Sequence, residues 1–236
     1  MTPTGTPLVE VRGLGRRFGA VRALRSVDLV IGPGEVVLLA GPNGAGKSTL
    51  LRSLAGLSRA DTGSVRILDR VLAGNPAARS AVGFLSHQSF LYDDLTAREN
   101  LRFAATLHGI ASSERELTAL LDAAGLLQAA DTRTGTLSHG LQQRLAIARA
   151  TLHAPVLLLL DEPFTGLDAA SSDLLRSRIA DDRARERTVV CVTHQPAEIW
   201  ELTTRVVVLA RGMVVFDGPR PASLDEFAAT YRGAII

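Results

Sequence analysis

The sequence contains a single cysteine and a single lysine, and aromatic residues make up only 4% of it. The one cysteine, Cys191, excludes a disulfide within the chain and is typical of a reducing compartment. Because it lies in the apolar run TVVCVT (188–193), we expect a small buried residue and not a nucleophile. The N-terminal residues MTPTGTPLVE have neither a charged start nor an apolar core, and we therefore expect no signal peptide there.

Long apolar segments are also missing. The longest apolar runs, such as PVLLLL at 155–160, are far shorter than the roughly 20 residues that a membrane-spanning helix needs. We therefore expect a chain that is soluble by itself and acts at a membrane only through a partner. The net charge of +2 comes from nearly balanced acids and bases, so we expect no nucleic-acid partner.

Short apolar runs predict a sheet that is buried on both faces. Continuous runs of this kind are typical of parallel strands covered by helices. In this chain the runs are VVLLA (36–40), VLLLL (156–160) and TVVCVT. Nearer the N-terminus the pattern alternates, which predicts an antiparallel portion made of LVEVRGL (8–14), SVDLVI (26–31) and VRILD (65–69). The segment 205–218 predicts two more strands around a turn at Gly212, and 221–232 predicts a short last helix.

The middle of the chain predicts helices. KSTLLRSLAGL (47–57) has apolar residues at helical spacing. Thr96 with Glu99, and Ser113 with Glu116, fit the capping-box spacing, so helices are expected to begin at both places. Residues 95–150 therefore predict a mostly helical subdomain inserted into an α/β chain.

The only lysine, Lys47, lies in GPNGAGKST (41–49), which matches the G-x-x-x-x-G-K-[ST] pattern of a phosphate-binding loop. The loop follows an apolar strand and precedes a helix, so its backbone N–H groups can approach phosphate oxygens. Lys47 is expected to reach the β- and γ-phosphates and Ser48 to ligate Mg²⁺. The residues expected to contact the nucleotide are Gly41, Pro42, Asn43, Gly44, Ala45, Gly46, Lys47, Ser48 and Thr49.

Two adjacent carboxylates, Asp161 and Glu162, end the apolar run VLLLLDEP (156–163). Because side chains alternate along a strand, the two residues are expected to have different roles. We expect Asp161 to hold Mg²⁺ through a water, and Glu162 to orient and deprotonate an attacking water. The alternative is a pair of solvated turn acids, which a buried strand and a phosphate-binding loop in the same chain disfavour.

Two further polar residues follow predicted strands. His194 follows TVVCVT, and it could bond the γ-phosphate or support Glu162. Gln88 follows the run AVGFLS and could reach Mg²⁺ or the attacking water. Taken alone, each is more often a structural polar group at a strand end. His87, His108 and His153 have no partners at ligand spacing and are expected to be structural or solvent-exposed.

The order of these motifs resembles the ATP-binding subunit of an ABC transporter over about residues 8–218. The motifs in order are GPNGAGKST, Gln88, LSHGLQQR (137–144), LLLLDEP, GLD (166–168) and His194. The resemblance implies one domain over 1–236 with a P-loop NTPase fold: a mostly parallel core sheet, an N-terminal antiparallel β subdomain and the inserted helical subdomain. It also implies ATP and Mg²⁺ as cofactors, and Lys47, Gln88, Glu162 and His194 as catalytic residues.

The resemblance further implies a homodimer that closes head to tail around ATP. Ser138, Gly140 and the helix start behind them would face the γ-phosphate of the partner's ATP. Asp168 would lie at the same interface, and Phe18 would stack on adenine, although without the resemblance Phe18 is more simply a core residue. LSHGL departs from the commoner LSGGQ at two positions, because His139 replaces a glycine and Leu141 a glutamine. Ser138 and Gly140 remain, so the phosphate contact is expected to survive, but the helix start and the contacts to a membrane partner are in doubt.

The likeness also bears on the cargo. The chain is similar to ATPase subunits of the heme-exporter type of cytochrome c maturation in residues 82–109, QQRLAIARATLHAP (142–155) and LLLLDEPFTGLD (157–168). It also resembles drug, sodium and polysaccharide exporters with a separate membrane chain. Both imply a peripheral position on the cytoplasmic side of the membrane, with residues 90–94 facing a permease. Soluble ABC ATPases of ribosomes or DNA are the other class, but they usually have two ATPase domains or long coiled-coil insertions. A scaffold without hydrolysis is disfavoured because Glu162 and His194 are present.

Overall fold

The computed structural model describes residues 6–86 and 89–235. In chain order the strands are β1 Val9–Phe18, β2 Val21–Ile31, β3 Val36–Ala40, β4 Thr62–Ile67, β5 Arg70–Val71, β6 Val82–Leu85, β7 Leu157–Asp161, β8 Thr188–Val192, β9 Arg205–Ala210 and β10 Met213–Pro219. The helices are α1 Lys47–Leu54, α2 Pro76–Arg79, α3 Ala97–Leu107, α4 Glu114–Ala123, α5 His139–Thr151, α6 Ala169–Ala184 and α7 Leu224–Ile235. Within the described residues, no helix has the length and apolar character needed to cross a membrane.

The core is a six-stranded sheet in the order β10-β9-β3-β8-β7-β6. The strands from β9 to β6 are parallel, and only β10 pairs antiparallel at the edge. Alternate residues of β3 enter two different apolar clusters, one on each face of the sheet. Burial on both faces explains why β3, β7 and β8 have continuous apolar sequences, and the predicted mostly parallel core is confirmed.

A second, antiparallel sheet has the order β2-β1-β4-β5 and confirms the predicted β subdomain near the N-terminus. Its strands are longer than predicted, because β1 continues to Phe18 and β2 begins at Val21. Helix α1, by contrast, ends at Leu54 and not at Leu57. Gly56, with φ +70°, is in the left-handed conformation that commonly ends a helix.

Both predicted capping boxes are present in the helical insertion. The backbone N–H of Thr96 donates to Glu99 Oε2 at 2.8 Å, and that of Glu99 donates to Thr96 Oγ1 at 3.2 Å. Ser113 and Glu116 exchange the same pair of bonds at 2.7 and 3.3 Å. Helices α3, α4 and α5 pack around an apolar cluster of their own, so the insertion is helical, as predicted.

Helix α6, 16 residues long, was not predicted from the sequence. Its buried face includes Ser171, Ser172 and Asp182 beside Leu175 and Ile179, so the apolar spacing typical of a helix is interrupted. The buried Asp182 carboxylate accepts a hydrogen bond from Arg187 at 2.8 Å, which compensates its burial. Tertiary packing therefore stabilises a helix whose sequence pattern is weak.

Two histidines that looked unrelated in the sequence stack on one another. The rings of His108, at the end of α3, and His153, after α5, lie 3.8 Å apart between centroids and 8° from parallel. His153 Nε2 lies 3.1 Å from the Val82 carbonyl oxygen, so in this tautomer Nε2–H donates. Burial, followed by the neighbouring His108 and Arg149, lowers the pKa of His153 to about 4.

This pair predicts a loss of stability in mild acid. Because the pKa of His153 is about 4 when folded and about 6.5 when unfolded, only the unfolded state takes up the proton between these values. The free energy of unfolding should therefore fall as the pH is lowered from 7 to 5. In His153→Gln, which retains a donor for Val82, the fall measured by urea denaturation should be smaller. An equal fall in both proteins would contradict the assignment.

Candidate nucleotide site

Three neighbouring strands bring the predicted site residues to one edge of the core sheet. The loop 41–46 follows β3, Asp161 ends β7, and His194 follows β8, which lies between β3 and β7. Because the three strands are parallel, their carboxyl ends meet at the same edge. That edge is where open α/β sheets bind ligands.

The loop from Gly41 to Gly46 fits an anion. Gly46, the N-cap of α1, has φ +105° and provides no side-chain cap, and the first turn of α1 contains no acidic residue. A Cβ on Gly46 would lie 3.0 Å from the Leu24 side chain and closer still to the Ala23 carbonyl oxygen, so only glycine fits. The first backbone N–H groups of α1 are thus available to phosphate oxygens.

Lys47 points its ammonium group back over this loop. Nζ donates to the carbonyl oxygens of Gly41 at 2.7 Å and Pro42 at 3.1 Å, and the residue is buried. Burial lowers the pKa of Lys47, while the charges of Glu162 and Asp161 act in the opposite direction. The lysine and both carboxylates are therefore close enough to form one electrostatic unit.

Glu162 has an unusual backbone conformation. Asp161 is the buried last residue of β7, and Glu162 immediately after it has φ +54°. Its N–H donates to the Val192 carbonyl oxygen of β8 at 2.8 Å. Seven other described non-glycine residues share this left-handed conformation, and at Glu162 the bond to Val192 holds it. The turn at Glu162 directs its side chain away from the line of β7.

His194 pairs with Glu162. Its backbone N–H donates to Glu162 Oε2 at 3.0 Å, and its Nε2 lies 3.4 Å from Oε1. Of the two roles considered from the sequence, this geometry fits support of Glu162. The Glu162 carboxylate is therefore contacted by both the backbone N–H and the imidazole ring of His194.

The donors present at this edge suit Mg²⁺. Asp161 offers a carboxylate and Ser48, exposed at the start of α1, offers a hydroxyl, and hard cations prefer oxygen ligands of these kinds. Gln88, the third ligand expected from the sequence, lies outside the described residues, as does His87.

The LSHGLQQR segment forms the start of α5. Ser138 is the N-cap, and its Oγ accepts from the N–H of Leu141 at 3.4 Å. His139 in place of glycine thus leaves an ordinary capped helix start. The side-chain hydrogen bonds found from α5 among the described residues go to Phe84, Thr134, residues 163–171 and its own backbone, and none reaches the phosphate loop.

Asp168 is the N-cap of α6 and accepts from the N–H of Ser171 at 2.8 Å. The bonds from Ser171, and to a smaller extent the charge of Arg144, lower the pKa of Asp168. The carboxylate is exposed and stays ionised at neutral pH.

Phe18 is not a core residue. It ends β1 with 52% of its surface exposed, and the Arg16 guanidinium carbon lies 4.7 Å from its ring centroid. An exposed aromatic ring at a strand end is available for stacking on a planar ligand.

A groove of about 310 Å³ lies between the core sheet and α3. Its lining includes the exposed Phe90, Tyr92 and Leu107 and the stacked histidines. Arg149, also in the lining, donates to the Phe84 carbonyl oxygen at 2.9 Å, and its guanidinium carbon lies 5.5 Å from the Phe90 ring centroid. Residues 90–94 were singled out in the sequence, but Arg149 and the histidine stack were not.

Together, the strand–loop–helix around a buried lysine and the acidic end of a neighbouring strand define a P-loop NTPase. A family model described as ABC transporter matches residues 24–165. The chain belongs to the ABC transporter family. Within that family it is an ATP-binding subunit that hydrolyses ATP.

Relatives of differing transport direction are similar to it. A fluoroquinolone export ATP-binding protein of Mycobacterium tuberculosis is 38% identical over 219 residues, 91% of this chain and 72% of the relative. A sulfate/thiosulfate import ATP-binding protein of Bordetella pertussis is 42% identical over 214 residues, 87% of this chain and 60% of the relative. A macrolide export ATP-binding/permease protein of Paracoccus denitrificans is 38% identical, and the match spans 34% of its length.

Solved structures agree with the fold. An ATP-binding subunit of an ABC transporter matches with a TM-score of 0.87 and 32% identity, covering 95% of this chain and 99% of that chain. A dimeric ATP-binding cassette in a post-hydrolysis state, bound to ADP and phosphate, matches with a TM-score of 0.81 and 28% identity, covering 91% and 100%.

The site geometry predicts that Glu162→Gln separates binding from turnover. The amide cannot accept a proton from water, so kcat for ATP should fall about 100-fold or more, while the Kd for ATP stays within about threefold because the loop and Lys47 are intact. Glu186→Gln is the matched control, since Glu186 has a similar φ of +57° away from the loop, and it should hydrolyse normally. Near-normal turnover by Glu162→Gln would contradict the role of Glu162.

Proposed function

We propose that two copies of this chain close around ATP and that the cycle of closure and hydrolysis drives a separate membrane subunit. The observation that carries the proposal is the Glu162–His194 pair beside Lys47. In this arrangement a general base, Glu162, and a cation, Lys47, are each fixed by hydrogen bonds and lie next to one another. The dimeric cassette with ADP and phosphate supports the same arrangement here.

In each copy, the loop 41–49 binds the phosphates of ATP. Lys47 moves its Nζ bonds from the Gly41 and Pro42 carbonyls to phosphate oxygens, which is favourable because the charge of the ammonium is then paired. Ser48, Asp161 and Gln88 hold Mg²⁺, which when bound neutralises phosphate charge. Glu162, oriented by His194, takes the proton from the attacking water.

The partner copy completes the site. The N-terminus of α5 carries partial positive charge, and Ser138 and Gly140 lie at that end with exposed or half-exposed surface. We propose that they contact the γ-phosphate of ATP bound to the other copy, and that Asp168 lies at the same interface. Phe18, exposed at the end of β1, stacks on adenine.

The groove between the core sheet and α3 receives the membrane subunit. It combines exposed Phe90, Tyr92 and Leu107 with Arg149 and two histidines, and no carboxylate is among its described lining residues. A short apolar helix fits such a groove. We therefore propose a peripheral position on the cytoplasmic side of the membrane, held through this contact.

Export of heme for cytochrome c maturation is the first candidate for the transported cargo, on the likeness of residues 82–109 to that type of exporter. Export of a drug-like compound is the second candidate, and the similarity to the fluoroquinolone and macrolide export proteins favours it. Either cargo binds to the membrane subunit, so the ATP site described here serves both.

Capture from native membranes tests the transport role. The tagged chain, solubilised gently, should copurify with a membrane subunit, and the identity of that subunit separates the cargoes: heme-handling proteins support the first, a lone permease the second. Ribosomes or DNA-repair proteins without a membrane chain would contradict transport.

A groove variant sharpens the same experiment. Leu107→Glu places a charge in the proposed docking groove and should abolish the copurification, whereas Leu127→Glu, outside the groove, should not. Both leucines are exposed, at 71% and 39%, so both variants should keep the wild-type melting temperature within about 2 °C. Retention of the membrane subunit by Leu107→Glu would contradict docking in this groove.

A further inference from the structure

The imidazole of His139 lies directly against Gly166, in the loop that follows Glu162. A Cβ on Gly166 would be 2.6 Å from His139 Nε2 and closer still to Cδ2, so a side chain at residue 166 would have to displace the His139 ring. Gly166 also has φ +75°, which side-chain-bearing residues adopt at a cost. The ring therefore occupies the space that a side chain at 166 would need.

Three hydrogen bonds from two further residues of α5 extend this contact along the same helix. Gln143, one turn after His139, donates from Nε2 to the Pro163 carbonyl oxygen at 3.0 Å. Arg144 donates to Ser171 Oγ from Nε at 3.0 Å and from Nη2 at 2.7 Å. Residues one turn apart lie on one face of a helix. We call these three contacts, His139–Gly166, Gln143–Pro163 and Arg144–Ser171, the α5 seam.

The α5 seam joins two capped helix starts. Ser138, the N-cap of α5, precedes His139 directly, and Asp168, the N-cap of α6, follows Gly166 by two residues. Helix α5 thus contacts this loop at its start through Pro163 and in its middle through Gly166, and it contacts the first turn of α6 through Ser171. With glycine at 139, as in the commoner signature, the middle contact would be missing.

His139 is exposed, so its ring contributes little to the apolar core. Its contact with Gly166 instead lies between the start of α5, next to Ser138, and the loop that leads from Glu162 to Asp168.

We propose that His139 is a positioning residue of the ATPase: its ring, packed on Gly166, aligns Ser138 and Asp168 for the partner copy and steadies the loop after Glu162. The inference rests on the proposed composite site. It assigns to the variant signature LSHGL a function that the glycine of LSGGQ cannot perform, because glycine has no side chain to reach residue 166.

A double-mutant cycle tests the contact. Gly166→Ala should lower kcat about tenfold in the wild-type background and only about twofold in His139→Gly, because neighbouring residues in contact are coupled. The KM for ATP should stay within about twofold throughout, since the phosphate loop is unchanged. A role in folding alone would instead lower the melting temperature and the active fraction without this dependence on residue 139.

Gly74→Ala is the matched control for the cost of alanine in this conformation. Gly74 has φ +70° and no neighbouring atom within 4 Å of a built Cβ, so its replacement should leave kcat unchanged in both backgrounds. Equal fold-changes for Gly166→Ala in both backgrounds would overturn the role of His139.

A parallel measurement distinguishes failure of the inference about His139 from failure of the composite site, the proposed active site built from two copies. Glu162→Gln protein should form a dimer with ATP in size-exclusion chromatography. If it dimerises and the cycle is additive, the inference about His139 is wrong and the composite site stands. If it remains a monomer at all ATP concentrations, the composite site is wrong and the alignment role of His139 with it.

Discussion

The parallel pairing of β3, β8 and β7 determines where the candidate site residues lie. The pairing sets Leu38 and Leu160 opposite Cys191 of the central strand β8, so the strands end level with one another. The phosphate loop, the Asp161–Glu162 pair and His194 then share one edge of the sheet. A shift of one residue in either pairing would turn these side chains to the opposite face.

The parallel pairing of these strands also brings opposite charges together at this edge of the sheet. Lys47 is buried, which costs free energy, and the charges of Asp161 and Glu162 offset part of that cost. Glu162 in turn is held in the left-handed region by its bond to Val192 and by His194. In the proposed mechanism ATP enters a site in which Lys47, Asp161 and Glu162 already lie close together. Its binding then requires exchange of the Lys47 hydrogen bonds and closure of the two copies.

The sequence was sufficient where a local rule has a physical cause. Thr96 and Ser113 begin helices in capping boxes with the glutamates three residues on, and Lys47 lies in a loop whose path requires glycine at Gly46. It was insufficient where residues distant in the sequence come together. The polar Ser171 and Asp182 interrupt the apolar pattern of α6. The contacts of His108 with His153 and of His139 with Gly166 form only when the chain folds. Phe18 shows a third case, since an aromatic residue at a strand end is compatible with either core or surface until the fold is known.

The central claim is that one active site is built from two copies, and mixing two inactive variants tests it most directly. Lys47→Ala damages the phosphate loop and Ser138→Arg the opposing helix start, so neither homodimer has an intact site. A mixed dimer has one intact site, and an equimolar mixture should regain up to about a quarter of the wild-type ATPase rate. A mixture no more active than the two variants measured separately would contradict the account.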